Sequence, residues 1–377
     1  MHATAKISLA AETKKIRNAG HTLVFGRKGI FAGWPFNSGF HQYGNGNEIT
    51  VAYSTTRCTL KKLPDGGFSY QQSPSDYSGV SRSFDGGRQW KEDPPYAFHK
   101  TRTARCVPPD EGRGFNSWVT TPREVRTQPI DPFNPSHSLY CGADYIYTTR
   151  DRGRTWSGPS FLPRDGQQPG FCNRPVYFVR PDGVLLTFPT VPRRKGDEGR
   201  IMTYASYDGG VTWAFLSILA QNDDYMCIMP TVVGTPAGRL LAAVRVDQVG
   251  GSWTELHDSA DGGQTWQRIG RLNDHGMPTQ LITLKDQRIA AIYGYRLPPF
   301  GIRARVSEDH EGRAWGPELI LRDDAASSDL GYPRGGVTAD GAVVVCYYFH
   351  EKKYPKPQDC DQYHWGTRSI WATRFRP

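Results

Sequence analysis

No stretch of the chain approaches the ~18 consecutive apolar residues of a membrane-spanning helix, and the segment Met1 to Lys15 lacks the apolar centre of a signal peptide. A soluble chain with no membrane partner is therefore expected, its compartment left open. The seven cysteines (Cys58, Cys106, Cys141, Cys172, Cys227, Cys346, Cys360) form no Cys-x-x-Cys pair, which argues against a zinc ribbon or a dithiol redox motif. Their odd number fits reduced thiols, and Cys346, inside Ala342-Val-Val-Val-Cys-Tyr-Tyr, reads as a core residue. No basic run is longer than Arg193-Arg194-Lys195, so a polyanion-binding tail does not account for the net charge of +9. The charge itself admits nucleic acid, a membrane surface or an acidic small substrate as partner. A phosphate-cradling glycine loop, an aromatic nucleic-acid platform and the EF-hand spacing are also missing, so neither nucleic acid nor calcium is expected. His350, Cys360 and His364 lie close in sequence but sit among Lys, Pro and Asp, and read as incidental rather than as a metal site. No cofactor is expected.

Turns and aromatics, by contrast, are plentiful. With 41 Gly, 28 Pro, 19 Tyr and 10 Trp in 377 residues, and only 37% hydrophobic residues, the composition describes many short strands packed largely by aromatics. That favours one large all-β domain over two ordinary ones. Four segments share the pattern Ser/Thr-x-Asp-x-Gly-x-x-Trp: Ser83 to Trp90, Thr149 to Trp156, Ser206 to Trp213 and Ser259 to Trp266. A fifth, Ser307 to Trp315, carries one inserted residue before its Gly. Each reads as a hairpin turn in which the hydroxyl and carboxylate bond turn amides and Gly supplies a positive φ. The Trp plugs the gap between strands and is expected to be buried.

These segments are similar to the Asp boxes of the sialidase superfamily, which the chain resembles from about Gly20 to its end. The resemblance implies a six-bladed β-propeller of four-stranded antiparallel blades, a single domain over residues 1–377 with an N-terminal extension at 1–19. Between the boxes, segments beginning at Arg174, Pro230, Pro278 and Pro333 each read as strand, tight turn, strand, the inner pair of a blade. Blades are expected near residues 40–95, 115–160, 173–218, 229–270, 277–321 and 332–374. Within the second, Lys100 to Tyr140 reads as a long loop over one face. The last blade has no box, and His21 to Phe25 is expected to supply its outer strand against Arg368 to Phe375, removing an open edge.

Strand direction then selects one rim, where first strands start, second strands end and third strands start. It carries Trp34, Arg57 and Asp76, then Asn173 and Arg174, then Tyr225 to Met229 with Arg245 and Asp247, then His275, Tyr295, Arg296, Asp329, Tyr332 and His350. Convergent arginines attract a carboxylate or sulfate. The resemblance implies three arginines on a substrate carboxylate, a Tyr nucleophile backed by Glu, and an Asp acid/base. Arg245 and Arg296 match the second and third arginines, Tyr332 the nucleophile, and Asp76 the acid, with Asp65 as a weaker candidate. Two positions depart from the pattern. Met229 stands where the family has its Glu, and Ala32-Gly-Trp-Pro-Phe stands where it has an Arg-Ile-Pro motif. Arg27, Arg57 or Arg174 is then the candidate third cation, and Asp224 or Asp329 the candidate base. The leading expectation is an exo-acting glycoside hydrolase for a terminal acidic sugar. A polysaccharide lyase acting on uronates, with Tyr332, His275 or His350 moving the proton, is the alternative, and a non-catalytic glycan-binding propeller is the third.

Overall fold

The computed structural model describes residues 13–27, 30–62, 68–72, 77–94, 105–106, 118–119, 127–142, 144–163, 176–192, 198–350 and 368–377. Among the described residues, apart from one helical turn at Pro35–Ser38, the regular structure is strand, gathered into six blade sheets and one separate two-stranded pair. The chain is an all-β, six-bladed β-propeller. It divides into two compact units, one built on Pro95–Leu272 and the other on Ser8–Pro94 with Asn273–Pro377.

In the first unit, Ser138–Cys141, Tyr145–Thr149 and Ser157–Phe161 form a three-stranded sheet among the described residues. Next comes the sheet of Tyr177–Val179, Leu185–Thr187, Glu198–Ser206 and Ala214–Gln221, on which Thr190–Pro192 adds a short fifth strand. The last is a meander of Met226–Gly234, Leu240–Gln248, Gly251–Ser259 and Gln267–Arg271. Within the span read as a loop, Arg105–Cys106 pairs with Trp118–Val119.

In the second unit, the long strand Glu48–Lys62 pairs with Ile30–Gly33 and Tyr77–Ser83, and also with Phe40–Tyr43 and Phe68–Gln72. Another sheet runs Thr279–Thr283, Ile289–Tyr295, Gly301–Val306 and Glu318–Arg322, and Thr13–Lys15 from the N-terminal extension adds to its edge in parallel. The third has the order Gly20–Phe25, Ser369–Phe375, Val343–Phe349, Gly331–Val337. Every residue of Val343–Phe349 is buried, as an unbroken apolar run between two covered faces requires.

The recurring turns act as the pattern dictates. In the four regular copies the Ser/Thr hydroxyl accepts the amide of the conserved-spacing Gly at 2.8–3.0 Å. The Asp carboxylate accepts the two amides before the Trp; in the last copy these come from Gln264 and Thr265 at 3.0 and 2.9 Å. Burial opposes the charge of Asp261, but hydrogen bonds from Thr265, Ser259 and Gln264 outweigh it and hold its carboxyl at about 2. The fifth turn absorbs its inserted residue: the Asp309 carboxylate moves one place on and takes the amides of Arg313 and Ala314. The turn also ties one sheet to its neighbour. Ser160 Oγ donates to the Gly210 carbonyl at 2.8 Å, and Ser217 Oγ repeats that bond to Gly263 at 2.6 Å.

The expectation that all four tryptophans are buried needs correction. Trp156, Trp213 and the fifth-turn Trp315 are buried, whereas Trp90 and Trp266 are half-buried. The outer strands that follow the half-buried pair, Lys91–Asp93 and Gln267–Arg271, contain no buried residue. Those after Trp156 and Trp213 do, and the Trp213 indole lies against Ser160 of the preceding sheet's outer strand at 3.3 Å.

Candidate active site

The second unit gathers a polar cluster at the strand ends of its last two sheets. Gly331 opposes Tyr348 and Arg334 opposes Cys346, so the first strand carries one extra residue and bulges at Tyr332-Pro333. Tyr332 is held at φ 53°, a left-handed conformation that is unusual for a bulky residue before proline. Backbone strain of this kind gathers at functional positions. Just before the bulge, Gly331 meets Gly294 of the neighbouring sheet so closely that a Cβ on Gly331 would lie 3.0 Å from the Gly294 Cα. This close approach seats Tyr332 beside Arg296, whose guanidinium lies 5.6 Å from the Tyr332 ring centre.

Arg296 donates through one terminal nitrogen to the Leu330 carbonyl at 2.9 Å. Its buried Nε has no hydrogen-bond partner, and no carboxylate pairs with it among the described residues. Other buried arginines of this unit are paired with carboxylates: Arg82 with Glu48 and Asp93, Arg322 with Asp324, Arg368 with Asp329. Arg296 is partly buried and keeps an open donor, to which an anion is a suitable acceptor.

Behind Tyr332 stands Tyr348, fully buried, with ring centroids 5.6 Å apart in an edge-on arrangement. The Tyr348 hydroxyl donates to Asp329 Oδ1 at 2.5 Å. Burial, then the Asp329 carboxylate, push the Tyr348 phenol well above its ordinary value, although Arg296 opposes them. Asp329 is fixed in turn by Arg368, whose Nε lies 3.1 Å from its carbonyl and 3.4 Å from Oδ2. Arg368 also donates to Ser327 Oγ and to His350 Nδ1, each at 3.1 Å. Burial and the Arg368 charge lower His350 to about 4, so it is neutral at pH 7 and accepts this bond at Nδ1. Trp34, between the strand Ile30–Gly33 and the helical turn Pro35–Ser38, takes the same left-handed conformation before proline (φ 56°), 4.8 Å from the Phe31 ring and 6.3 Å from the Tyr348 ring.

In the first unit, Arg245 is engaged by Asp247, which accepts from its Nε at 2.7 Å, and lies 3.5 Å from the Met229 sulfur. Met229 is fully buried and sits at φ 52° before Pro230, with a register shift between Ile228 and Thr231. It is built as Tyr332 is, but presents a thioether. Asp224 is exposed, in a turn where its amide bonds the Asn222 side chain.

Of the sequence candidates, Arg296, Asp329, Tyr332 and His350 come together in the second unit, with Trp34 beside Tyr348. His275, in the same unit, is exposed. Arg27 is exposed and ion-paired to Glu92 at 2.6 Å. Arg57 stands opposite Ile30 in its sheet, its side chain outside the described residues. Asp65, Asp76, Asn173, Arg174, Cys360 and His364 lie outside the described residues. Tyr348 and Arg368 were not picked out from the sequence, although the end of a second strand and the start of a third are the rim positions that strand direction selects. Among the described residues no group of three or more His, Cys, Asp or Glu could hold a metal ion.

The family model of the BNR repeat-like domain matches residues 134–356. No curated protein matches the chain in sequence. Among solved structures, a protein of unknown function from Dyadobacter fermentans is similar over 96% of this chain and all of its own, at 20% identity and a TM-score of 0.70. A Hadza microbial sialidase is 16% identical over 92% of this chain and 66% of its own, with a TM-score of 0.54. The sialidase of Trypanosoma rangeli, solved with the inhibitor DANA, is 13% identical over 95% of this chain and 59% of its own, with a TM-score of 0.51. At these identities the likeness is one of fold.

Proposed function

The chain belongs to the BNR repeat-like domain family, and on that footing we propose that it is an exo-acting glycoside hydrolase releasing a terminal acidic sugar, with residues 1–377 working as one domain. The observation that carries this reading is Arg296, a partly buried guanidinium with an open Nε and no acidic partner among the described residues, set against the strained Tyr332. A substrate carboxylate supplies the missing acceptor in the geometry a guanidinium fits best. Tyr332 is the nucleophile of this reading. A neutral phenol attacks an anomeric centre that carries an adjacent carboxylate without the repulsion a carboxylate nucleophile meets. Tyr348 is fully buried whereas Tyr332 keeps 9% of its surface exposed, which favours Tyr332 for the attack.

Asp76 as acid/base, Asp224 as a further carboxylate, and Arg245, Arg57, Arg174 and His275 as substrate contacts belong to the same proposal on sequence grounds. His350 enters it differently from the sequence expectation: its Nδ1 accepts from Arg368, so it supports the cluster from behind. The sialidases with which the chain shares its fold support the class of reaction. One observation favours a uronate lyase instead: Met229 holds the position expected for a carboxylate, and a thioether takes no proton. A product assay on a panel of acidic glycans separates the readings. A free terminal acidic sugar supports the hydrolase, and an unsaturated uronate chromophore supports the lyase. Arg296→Ala should lower kcat/KM on the acidic substrate by ~10²-fold, as expected for a lost charge-assisted pair. Equal turnover by this variant would remove the carboxylate-binding role.

A further inference from the structure

We propose that the second unit carries a separate, non-catalytic binding site for a small ligand bearing an oxyanion, whose sulfate, phosphate or carboxylate group is held by Lys285 and Arg376. Three hairpin turns of this unit, at residues 43–47, 284–288 and 338–342, meet there. They line a surface cavity of about 430 Å³, which falls within the size range of small-molecule sites. Ala339 joins the turns: its amide donates to Asn47 Oδ1 at 3.1 Å and its carbonyl accepts from Lys285 Nζ. Tyr332 lies at the start of the strand Gly331–Val337 and the cavity at its end, so a strand's length, roughly 20 Å, separates this site from the candidate active site. The inference does not depend on the hydrolase reading.

Charge at this end is one-sided. Asp340 pairs with Arg88 at 3.1 Å, with Arg376 at 3.4 Å and with Arg374. The Thr338 hydroxyl and then Arg374 hold its carboxyl well below the usual carboxylate range, so it stays ionised. One carboxylate thus serves three guanidinium groups. The acids beside them are already engaged: Asp85 accepts from Ser83 and from the amides of Arg88 and Gln89, and Asp286 pairs with Arg288 at 2.8 Å. Lys285 adds a fourth cation, bonded to a neutral carbonyl. It runs beside Arg376, since a Cβ on Gly341 would lie 3.4 Å from Lys285 Cδ and 3.9 Å from an Arg376 terminal nitrogen. Both cations are exposed, and Lys285 lines the cavity. An oxyanion seated between them takes charge-assisted bonds from each. Asn45, Thr283 and Thr338 give the lining amide and hydroxyl groups, and it has no aromatic ring, which suits a small polar body such as a sugar better than a nucleobase.

The test titrates a sulfated disaccharide, its unsulfated counterpart and sodium sulfate into the full native chain and into its Arg296→Ala variant, by isothermal calorimetry at low salt. The sulfated disaccharide should bind to both chains, and the unsulfated one at least ~10-fold more weakly. Lys285→Gln and Arg376→Gln, added to the Arg296→Ala chain, should each weaken binding ~10-fold, the effect of one lost charge-assisted hydrogen bond. The same two changes made in the native chain should leave its Tm unaltered. Sodium sulfate binding as tightly as the disaccharide, with the same loss in both variants, would support the oxyanion site and make a free ion its ligand. Binding that neither substitution weakens, or no binding of either anion at millimolar concentration, would overturn the proposal.

Discussion

Replacing Trp213 by alanine should be among the most damaging single changes outside the candidate site, and the same replacement at Trp266 among the milder ones. The two residues hold the same place in the same motif and differ in surroundings. Trp213 is 7% exposed and packs in a core cluster with Ile130, Leu139, Leu185 and Tyr204. Its indole donates to the Gly210 carbonyl at 3.2 Å and lies 3.3 Å from Ser160 Oγ. Removing a buried Trp side chain costs ~3–5 kcal/mol through lost transfer energy and the cavity left behind. The lost indole hydrogen bond adds ~1 kcal/mol. The Ser160 hydroxyl keeps its own bond to Gly210, so no buried donor is orphaned. Trp266 is half-buried, its main ring contact is Phe188 at 6.1 Å, and its Nε1 has no partner among the described residues. Its truncation should cost about 1–2 kcal/mol, with little cavity formed. Urea unfolding followed by circular dichroism, with the slope checked for constancy, gives both values. Equal losses at the two positions, or a loss below about 1 kcal/mol at Trp213, would refute the argument that burial rather than motif membership sets the energy.

Two further expectations concern the ends of the chain and its acid limit. Removing residues 1–26 deletes Gly20–Phe25, which pairs along Ser369–Phe375 and buries Val24 and Phe25. The exposed edge should make the shortened chain less stable and prone to self-association, and light scattering showing a monomer with an unchanged Tm would contradict this. His350 is lowered from 6.5 to about 4, so between these values the unfolded chain binds more protons than the folded one. Its contribution is fully present above about pH 6.5 and is lost as the pH falls toward 4. His350→Gln should therefore flatten the decline of stability across that window. His41, lowered to about 3, is present in both chains and cancels in the comparison. An unchanged slope would mean that His350 is protonated in the folded protein.

The parts of this molecule that were legible in the sequence are those written by local chemistry. Ser259, Asp261, Gly263 and Thr265 close their turn on each other's atoms within a few residues, so their spacing alone describes it. The paired strands between turns follow from apolar runs around tight turns. Contacts between distant segments were harder to read. The parallel addition of Thr13–Lys15 beside Glu318–Ile320 has no pattern that announces it. Arg296, Tyr332 and Asp329 were legible as strand-end residues, but the bond between Tyr348 and Asp329 joins two strand ends whose register, shifted between Gly331 and Arg334, no sequence pattern announces. The arginine that steadies the cluster, Arg368, sits 39 residues beyond the aspartate it holds. Burial of the tryptophans was misjudged at Trp90 and Trp266 because coverage comes from residues outside the motif, as Ile130, Leu139, Ser160 and Leu185 do at Trp213.

The most direct test of the central claim is turnover of a terminal acidic sugar by the full chain and by its Tyr332→Phe variant, assayed side by side with their melting temperatures. The account predicts release of the free sugar by the native chain, a loss of ~10³-fold or more in kcat for the variant, and melting temperatures that agree. A Tyr332→Phe chain that still releases the sugar at the native rate would contradict it.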